Sequence, residues 1–219
     1  MSTNAGLVSS STVGFPPTSD VSNRSLRSNF DVIEIDKKTA APFIEKWHYS
    51  HIVPTGRNVF FGGYINEELY CVAVYGSGSN NNQHSYLART THKPVTEDNL
   101  MELRRLCRVG EKGTTEVPLT RFLKICHTIL KREHKVSFVV SFSDPAYNHT
   151  GGIYKAANFQ HLGKTNAEWR YVDEDGQIVH RRTMNHYSWR HSLTEVQMAQ
   201  KLFKYEVKMP GKDRWFLEL

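Results

Sequence analysis

Apolar residues recur along this chain in two periods, and the change from one to the other marks its elements. Residues 1–30 show no periodicity: 11 Ser/Thr, three Asn and Pro16-Pro17 surround a few scattered apolar positions. Such a stretch buries too little to offset its ordering entropy, so it is expected to be a flexible tail, with structure starting near Asp31. Over Asp36–Trp47, Phe43, Ile44 and Trp47 fall at i, i+1 and i+4 with Pro42 near the start, which predicts a short helix. Val59–Ile65 and Leu69–Gly76 are β-rich runs around Asn66-Glu67-Glu68, the pattern of a hairpin. Gly76–Ser85, rich in Gly, Ser and Asn, reads as a loop. Leu100–Val109 then alternates with period two. Met101, Leu103, Arg105, Cys107 and Val109 share one face, and Glu102, Arg104, Leu106 and Arg108 the other. Arg105 is thereby placed on an apolar face, where a guanidinium is costly unless a carboxylate or phosphate pairs with it.

After a turn at Gly110–Thr115, Pro118–His134 reads as an amphipathic helix. Phe122, Cys126, Ile129 and Leu130 face inward, and Arg121, Lys124, Lys131 and Arg132 face solvent. Val136–Phe142 is the most strand-like run, and it stops at Asp144-Pro145 because proline cannot extend a ladder. A short helix is expected over Gly152–Asn158, and an Arg/His-rich hairpin over 169–190 around Asp173-Glu174-Asp175-Gly176. A helix follows over Ser192–Leu202, capped by Ser192 with Glu195, and then a final hairpin over Lys204–Leu219 turning at Pro210-Gly211. Strand pairs followed by strand–helix–strand–helix predict an α/β fold: a mixed β-sheet flanked by helices over 31–219, with a C-terminal hairpin extension.

Composition narrows the setting. At 219 residues and 39% hydrophobic, the chain has room for one full domain and a tail, or for two small domains. No run approaches the roughly 18–20 apolar residues of a membrane span, and the N-terminus lacks a secretory pattern. Three cysteines without CxxC spacing (Cys71, Cys107, Cys126) indicate neither a disulfide framework nor a thiolate zinc site. They are expected to be buried thiols in a reducing cytoplasm. The formal charge of +6 excludes little, but its distribution is uneven. Residues 1–99 carry 8 basic and 9 acidic side chains, whereas 100–135 carry 9 and 4. That concentration suits a polyanion, and equally a solvated helix face.

The densest polar cluster is Ser141-Phe142-Ser143-Asp144-Pro145-Ala146-Tyr147-Asn148-His149-Thr150-Gly151-Gly152-Ile153-Tyr154. It sets a carboxylate at the C-terminal end of a central strand, the position where open α/β sheets bind ligands, and then a glycine-led helix start. Asp144 has three open roles: partner of Arg105, base toward an amine, or cation ligand. Tyr154, on the first helical turn, is a candidate general acid or a core ring. His149 fits either an active or an exposed loop role. His48-Tyr49-Ser50-His51 sets two histidines at i, i+3, a spacing that on a helical turn holds a first-row metal with a carboxylate from elsewhere.

These motifs carry a resemblance. Ile153-Tyr154-Lys155-Ala156-Ala157-Asn158-Phe159 resembles the LYxxxGF segment of GNAT acyltransferases. Trp47-His48-Tyr49-Ser50-His51, the Val72–Gly76 run, Glu102-Leu103-Arg104-Arg105-Leu106 and the Val140–Pro145 and His149–Tyr154 segments are similar to the phage Mom-type DNA-modification proteins. The likeness runs from about Asp31 to Gly163. It implies a GNAT-like fold and conversion of the N6 amine of adenine in double-stranded DNA to N6-carbamoylmethyladenine, which protects phage DNA from host restriction. It also implies a cytoplasmic setting in the host cell. The family's active residues fall on His48, Tyr49, Asp144 and Tyr154, with Ser141 and His149 beside them. Iron is associated with the family, which points to His48 and Asp144 as ligands. Arg105, Gly151 and Gly152 are the cofactor-binding candidates, and Arg121, Lys124, Arg181 and Arg182 the DNA-binding ones. Acyl-coenzyme A is in doubt. Over Arg108–Thr114 the [QR]xxGx[GA] pyrophosphate motif is broken by Glu111, whose charge repels a pyrophosphate.

Adenine N6 is a poor nucleophile with a delocalised lone pair, so a proton acceptor such as Asp144 and close positioning are expected. The base is inaccessible in a duplex. Flipping is therefore expected, with Tyr49 or Trp47 stacking on it. Competing readings are a GNAT N-acetyltransferase acting on a small amine or protein, and a non-catalytic DNA-binding module.

Overall fold

The structure is a computed structural model that describes residues 30–78, 82–110, 117–173, 175–176, 178–179, 184, 188–202 and 205–219. The expected tail lies outside these residues except for Phe30, which opens the first strand. The chain runs β1 (Phe30–Ile35), α1 (Lys37–Trp47), β2 (Asn58–Ile65), β3 (Glu68–Gly76), α2 (Gln83–Thr91), β4 (Leu100–Arg108), α3 (Leu119–Glu133) and β5 (Phe138–Ser143). A 3-10 turn at Pro145–Tyr147 leads to α4 (Gly152–Ala156) and β6 (Gln160–Lys164). Then come β7 (Glu168–Val172), β8 (Ile178–Val179), α5 (Glu195–Leu202), β9 (Tyr205–Met209) and β10 (Asp213–Glu218).

Seven strands form one mixed sheet in the order β1-β2-β3-β4-β5-β10-β6. Every neighbouring pair is antiparallel except β4 and β5. Asp36 caps α1 by accepting the Thr39 N–H at 2.8 Å, and Pro42 sits inside that helix rather than at its start. Asn66 and Glu67 both have positive φ (48° and 69°), the geometry of a primed turn whose twist matches the hairpin strands. The stripe on α3 buries Phe122, Leu123, Cys126 and Leu130 against one sheet face, together with Phe61, Tyr75, Leu103 and Val139. On the opposite face α1 packs Ala40, Phe43 and Ile44 on Phe60, Val72, Val74 and Cys107. Helix α2, whose Leu87 is fully buried against Leu100, Phe138 and Val140, lies partly in the stretch read as a loop. All three cysteines are free and buried, as expected.

Three expectations are corrected. The two-residue alternation of β4 breaks at Arg104: Val74 opposes Arg105, whereas Tyr75 opposes Leu103. This bulge sends Leu103 into the core under α3 and Cys107 into the core under α1, so the supposed single face is two. The cap of α5 is not Ser192 with Glu195 but Thr194 with Gln197, whose side chains each accept the other's backbone N–H (3.2 and 3.0 Å). Ser192 has a φ of 53°, outside the extended range a cap needs. The last two strands do not form a hairpin. β9 joins a separate three-stranded sheet, β8-β7-β9, while β10 inserts between β5 and β6 of the main sheet. Gly211 makes the re-entry possible: a Cβ there would lie 1.7 Å from the Thr165 carbonyl oxygen. Of the 169–190 hairpin, only Tyr171–Val172 against Ile178–Val179 is paired among the described residues.

Candidate active site

β4 and β5 pair in parallel only over Leu100–Glu102 and Phe138–Val140. Beyond that the strands part, and the Ser141 hydroxyl bridges the gap by donating to the Leu103 carbonyl (2.9 Å). Above the gap lies a cleft of about 460 Å³. Leu103, Arg104, Arg105, Phe142 and Asp144 form one wall, and Thr165, Asn166, Ala167, Glu168 and Lys212 the other, with Tyr49, Ser50 and Glu102 completing it.

Asp144, only 3% exposed, caps the 3-10 turn by accepting the Ala146 N–H (3.1 Å). Its cationic partner is Arg170 of β7, not Arg105. The buried guanidinium donates to Oδ2 at 2.9 Å and Oδ1 at 3.4 Å, and Lys212 stands 3.5 Å from Oδ2. Burial alone raises the carboxyl pKa. The Arg170 hydrogen bonds and the charges of Lys212 and Arg170 outweigh it and hold Asp144 below the ordinary carboxylate range. Arg105 donates instead to the Ile52 and Arg104 carbonyls (3.0 and 2.6 Å), because the bulge at Arg104 turns it toward the α1 side of the sheet.

His48, Tyr49, Tyr147 and His149 form one ring cluster. Tyr49 has His48 at 4.4 Å, Tyr147 at 4.6 Å and His149 edge-on at 4.7 Å. A base stacking on Tyr49 has to compete with these rings. His48 is buried, and that burial, followed by the charges of Arg105, His149 and His51, lowers its pKa to about 3. Its Nδ1 accepts the Ser50 N–H (3.1 Å), so the neutral ring carries its proton on Nε2 and acts as a donor. Although Tyr49 is 39% exposed, its packed surroundings push the phenol up to about 12, burial first.

The donor set does not fit the expected iron. α1 ends at Trp47, so His48 and His51 are not on one helical turn, and His51 has a φ of 50°. The imidazole lone pair of His48 is already used at Nδ1, and both Asp144 oxygens are engaged by Arg170. Among the described residues no three His, Cys, Asp or Glu side chains are grouped to hold a metal.

Tyr154 does not line the cleft. Its hydroxyl lies 3.0 Å from that of Ser141, and its ring stacks on Trp215 at 5.8 Å. Burial raises its pKa, against a lowering by Ser141, so the phenol stays protonated. Gly151 has a clear packing reason: at φ 74°, a Cβ there would lie 2.2 Å from the buried Trp215 ring. Gly152 is exposed at the start of a five-residue helix. Arg121 and Lys124 are exposed on α3, beside a second cleft of about 540 Å³ between α3 and α4. Arg181, Arg182 and the Glu111 loop lie outside the described residues. Sequence reasoning missed Glu168, Arg170 and Lys212. The one available signal was that a buried aspartate requires a cation, and Arg105 satisfied that demand on paper.

The mixed sheet with a central parting pair and helices on both faces has the GNAT-like arrangement that the sequence resemblance implied. The Mom protein family matches residues 29–212, and the chain belongs to that family, whose resemblance implied DNA modification. No curated protein matches the chain significantly in sequence. Similar solved structures include a GNAT family acetyltransferase from Elizabethkingia anophelis with acetyl-CoA bound (9% identity, 87% of this chain and 99% of that one, TM-score 0.41). Another is spermidine N-acetyltransferase from Vibrio cholerae in complex with CoA and spermine (8% identity, 86% and 95%, TM-score 0.45). A third is FeeM, an N-acyl amino acid synthase from uncultured soil microbes (11% identity, 89% and 92%, TM-score 0.45). Among the described residues no helix is long and apolar enough to cross a membrane.

Proposed function

We propose that this protein is a phage DNA-modification enzyme that converts the N6 amine of adenine in double-stranded DNA to N6-carbamoylmethyladenine and so protects the DNA from host restriction. The family match over residues 29–212 carries the reading. The cleft at the parted strands supports it, with Asp144, Tyr49 and Arg105 on its lining. A base inside a duplex stack cannot reach the residues lining the cleft, so the target adenine is extruded into it. Arg121 and Lys124, exposed on α3, are available to backbone phosphates, as Arg181 and Arg182 are proposed to be.

The rings around Tyr49 supply donors. His48 is neutral with its proton on Nε2, and Tyr49 and Tyr154 keep their phenolic protons, so none of them is a ready proton acceptor at neutral pH. Among the described residues the cleft lining holds three carboxylates, Glu102, Asp144 and Glu168, and no histidine, so the amine's proton goes to a carboxylate. Acyl-coenzyme A is assigned no step, because the broken pyrophosphate motif falls outside the described residues.

The test is expression in a bacterial host, digestion of plasmid DNA to nucleosides, and mass spectrometry. The expected product is a deoxyadenosine heavier by one carbamoylmethyl unit. Plasmid DNA containing only ordinary deoxyadenosine would overturn the reading.

A further inference from the structure

Two carboxylates at the cleft share one guanidinium, and they are held in opposite ways. Asp144 has both oxygens engaged: Oδ1 by the Ala146 N–H and Arg170, Oδ2 by Arg170 with Lys212 nearby. Its side chain is 4% exposed. Glu168, the first residue of β7, is bound through Oε1 alone, by Nε of Arg170 at 2.9 Å and by Nη2. Its Oε2 has no hydrogen bond or ion pair among the described residues, and the side chain, 37% exposed, lines the cleft. Arg170 thus uses one guanidinium face to bury Asp144 and another to orient Glu168 with one oxygen open.

We propose that Glu168 is a further catalytic residue, whose Oε2 accepts the exocyclic amine of the extruded base and takes its proton. The inference rests on the adenine reading above and names the acceptor that reading requires. A carboxylate oxygen only accepts, so at the position it faces it favours an exocyclic amine such as adenine N6 over a carbonyl oxygen such as guanine O6 or thymine O4. The donor is a molecule with a leaving group on an electrophilic carbon. The N6 lone pair forms the N–C bond, the carbon–leaving-group bond breaks with its electron pair on the leaving group, and the displaced N6 proton passes to Oε2. Asp144 is then a positioning residue that acts through Arg170.

The experiment uses the full chain and compares wild type, Glu168→Gln, Glu168→Asp and Glu102→Gln on duplex DNA. It reads single-turnover modification by nucleoside mass spectrometry, duplex affinity by fluorescence anisotropy, and the pH dependence of the rate. Glu168→Gln is expected to slow modification by about 100-fold or more while leaving duplex affinity within about two-fold, since general-base groups contribute on that scale to chemistry rather than binding. The acid limb of the pH–rate profile should vanish with it, which a purely structural glutamate would not cause. Glu168→Asp, which keeps the charge but retracts the oxygen, should fall between the two, and this variant decides the matter if the glutamine protein does not fold. Wild-type rates in both Glu168 variants overturn the assignment, as does loss of the acid limb in Glu102→Gln alone. If wild type itself leaves adenine unmodified, the parent reading fails and this inference falls with it.

Discussion

The two walls of the cleft are built on different physics. The core wall, from β4 and β5, stands on buried apolar side chains: Leu103 and Val139 sit in the α3-side cluster, and Val140 and Phe138 in the α2-side one. The outer wall, at the β6–β7 corner and Lys212, stands on charge. It meets the core wall through Arg170, whose side chain is 1% exposed against the 4% of Asp144. The first wall gains free energy from area removed from water and tolerates small changes. The second depends on a buried ion network in which each charge is tolerated only because the others are present.

The largest expected effect breaks that contrast at its hinge. Arg170→Met leaves Asp144 buried without its guanidinium, at a cost of about 3–5 kcal/mol. Adding Asp144→Asn should restore much of this, because the uncompensated charge goes with it. Urea unfolding of the two single variants and the double variant measures the coupling. Additive losses would show that the outer wall is held by packing instead.

The core wall was more legible in the sequence than the outer one, and the reason is range. The α3 stripe, the Asn66-Glu67 hairpin and the strand stop at Asp144-Pro145 are set by residues within a few positions of one another, so periodicity and turn chemistry reveal them. The bulge at Arg104 leaves no such trace, since the alternation of residue types continues through it while the backbone register shifts. Arg170 occupies an ordinary place in an alternating strand, and its ionic partner lies 26 positions away. In the same way β10 reads locally as half of a hairpin, but its pairing is decided by the space between β5 and β6. The candidate site was therefore half visible: Asp144, Tyr49 and Arg105 by motif, and Glu168, Arg170 and Lys212 only by tertiary contact.

Acid should separate the walls along the pH axis. His127 of α3 is buried, and burial lowers its pKa from 6.5 to about 4. The unfolded chain binds a proton there below pH 6.5 that the folded protein refuses, so stability is full above pH 6.5 and is lost as pH falls toward 4. The loss reaches about 3 kcal/mol. His127→Leu should flatten that slope in denaturant titrations at pH 7 and pH 4.5, leaving the part due to His48, whose pKa is lowered the same way. The Asp144 network works with the same sign but in a lower window. Its stabilisation is complete above the ordinary carboxylate range and is lost only as pH falls through the lowered folded value. A single transition that stays unchanged by His127→Leu would remove the distinction.

The smallest effect sits where the two central strands part. Ser141 donates to the Leu103 carbonyl and pairs with the Tyr154 hydroxyl, closing the point at which the β4–β5 ladder ends. Ser141→Ala removes one hydroxyl and leaves two polar groups short of a partner, at a cost of about 1–2 kcal/mol. The methyl adds no volume, so the cleft should keep its shape and its duplex affinity. The phenol loses the hydroxyl it pairs with and stays protonated, because burial is the largest influence on it. A thermal midpoint lowered by a few degrees, with duplex affinity unchanged, is the expected pair of results. A large collapse instead would mean that the core wall, too, hangs on one polar contact, and the contrast between the walls would not stand.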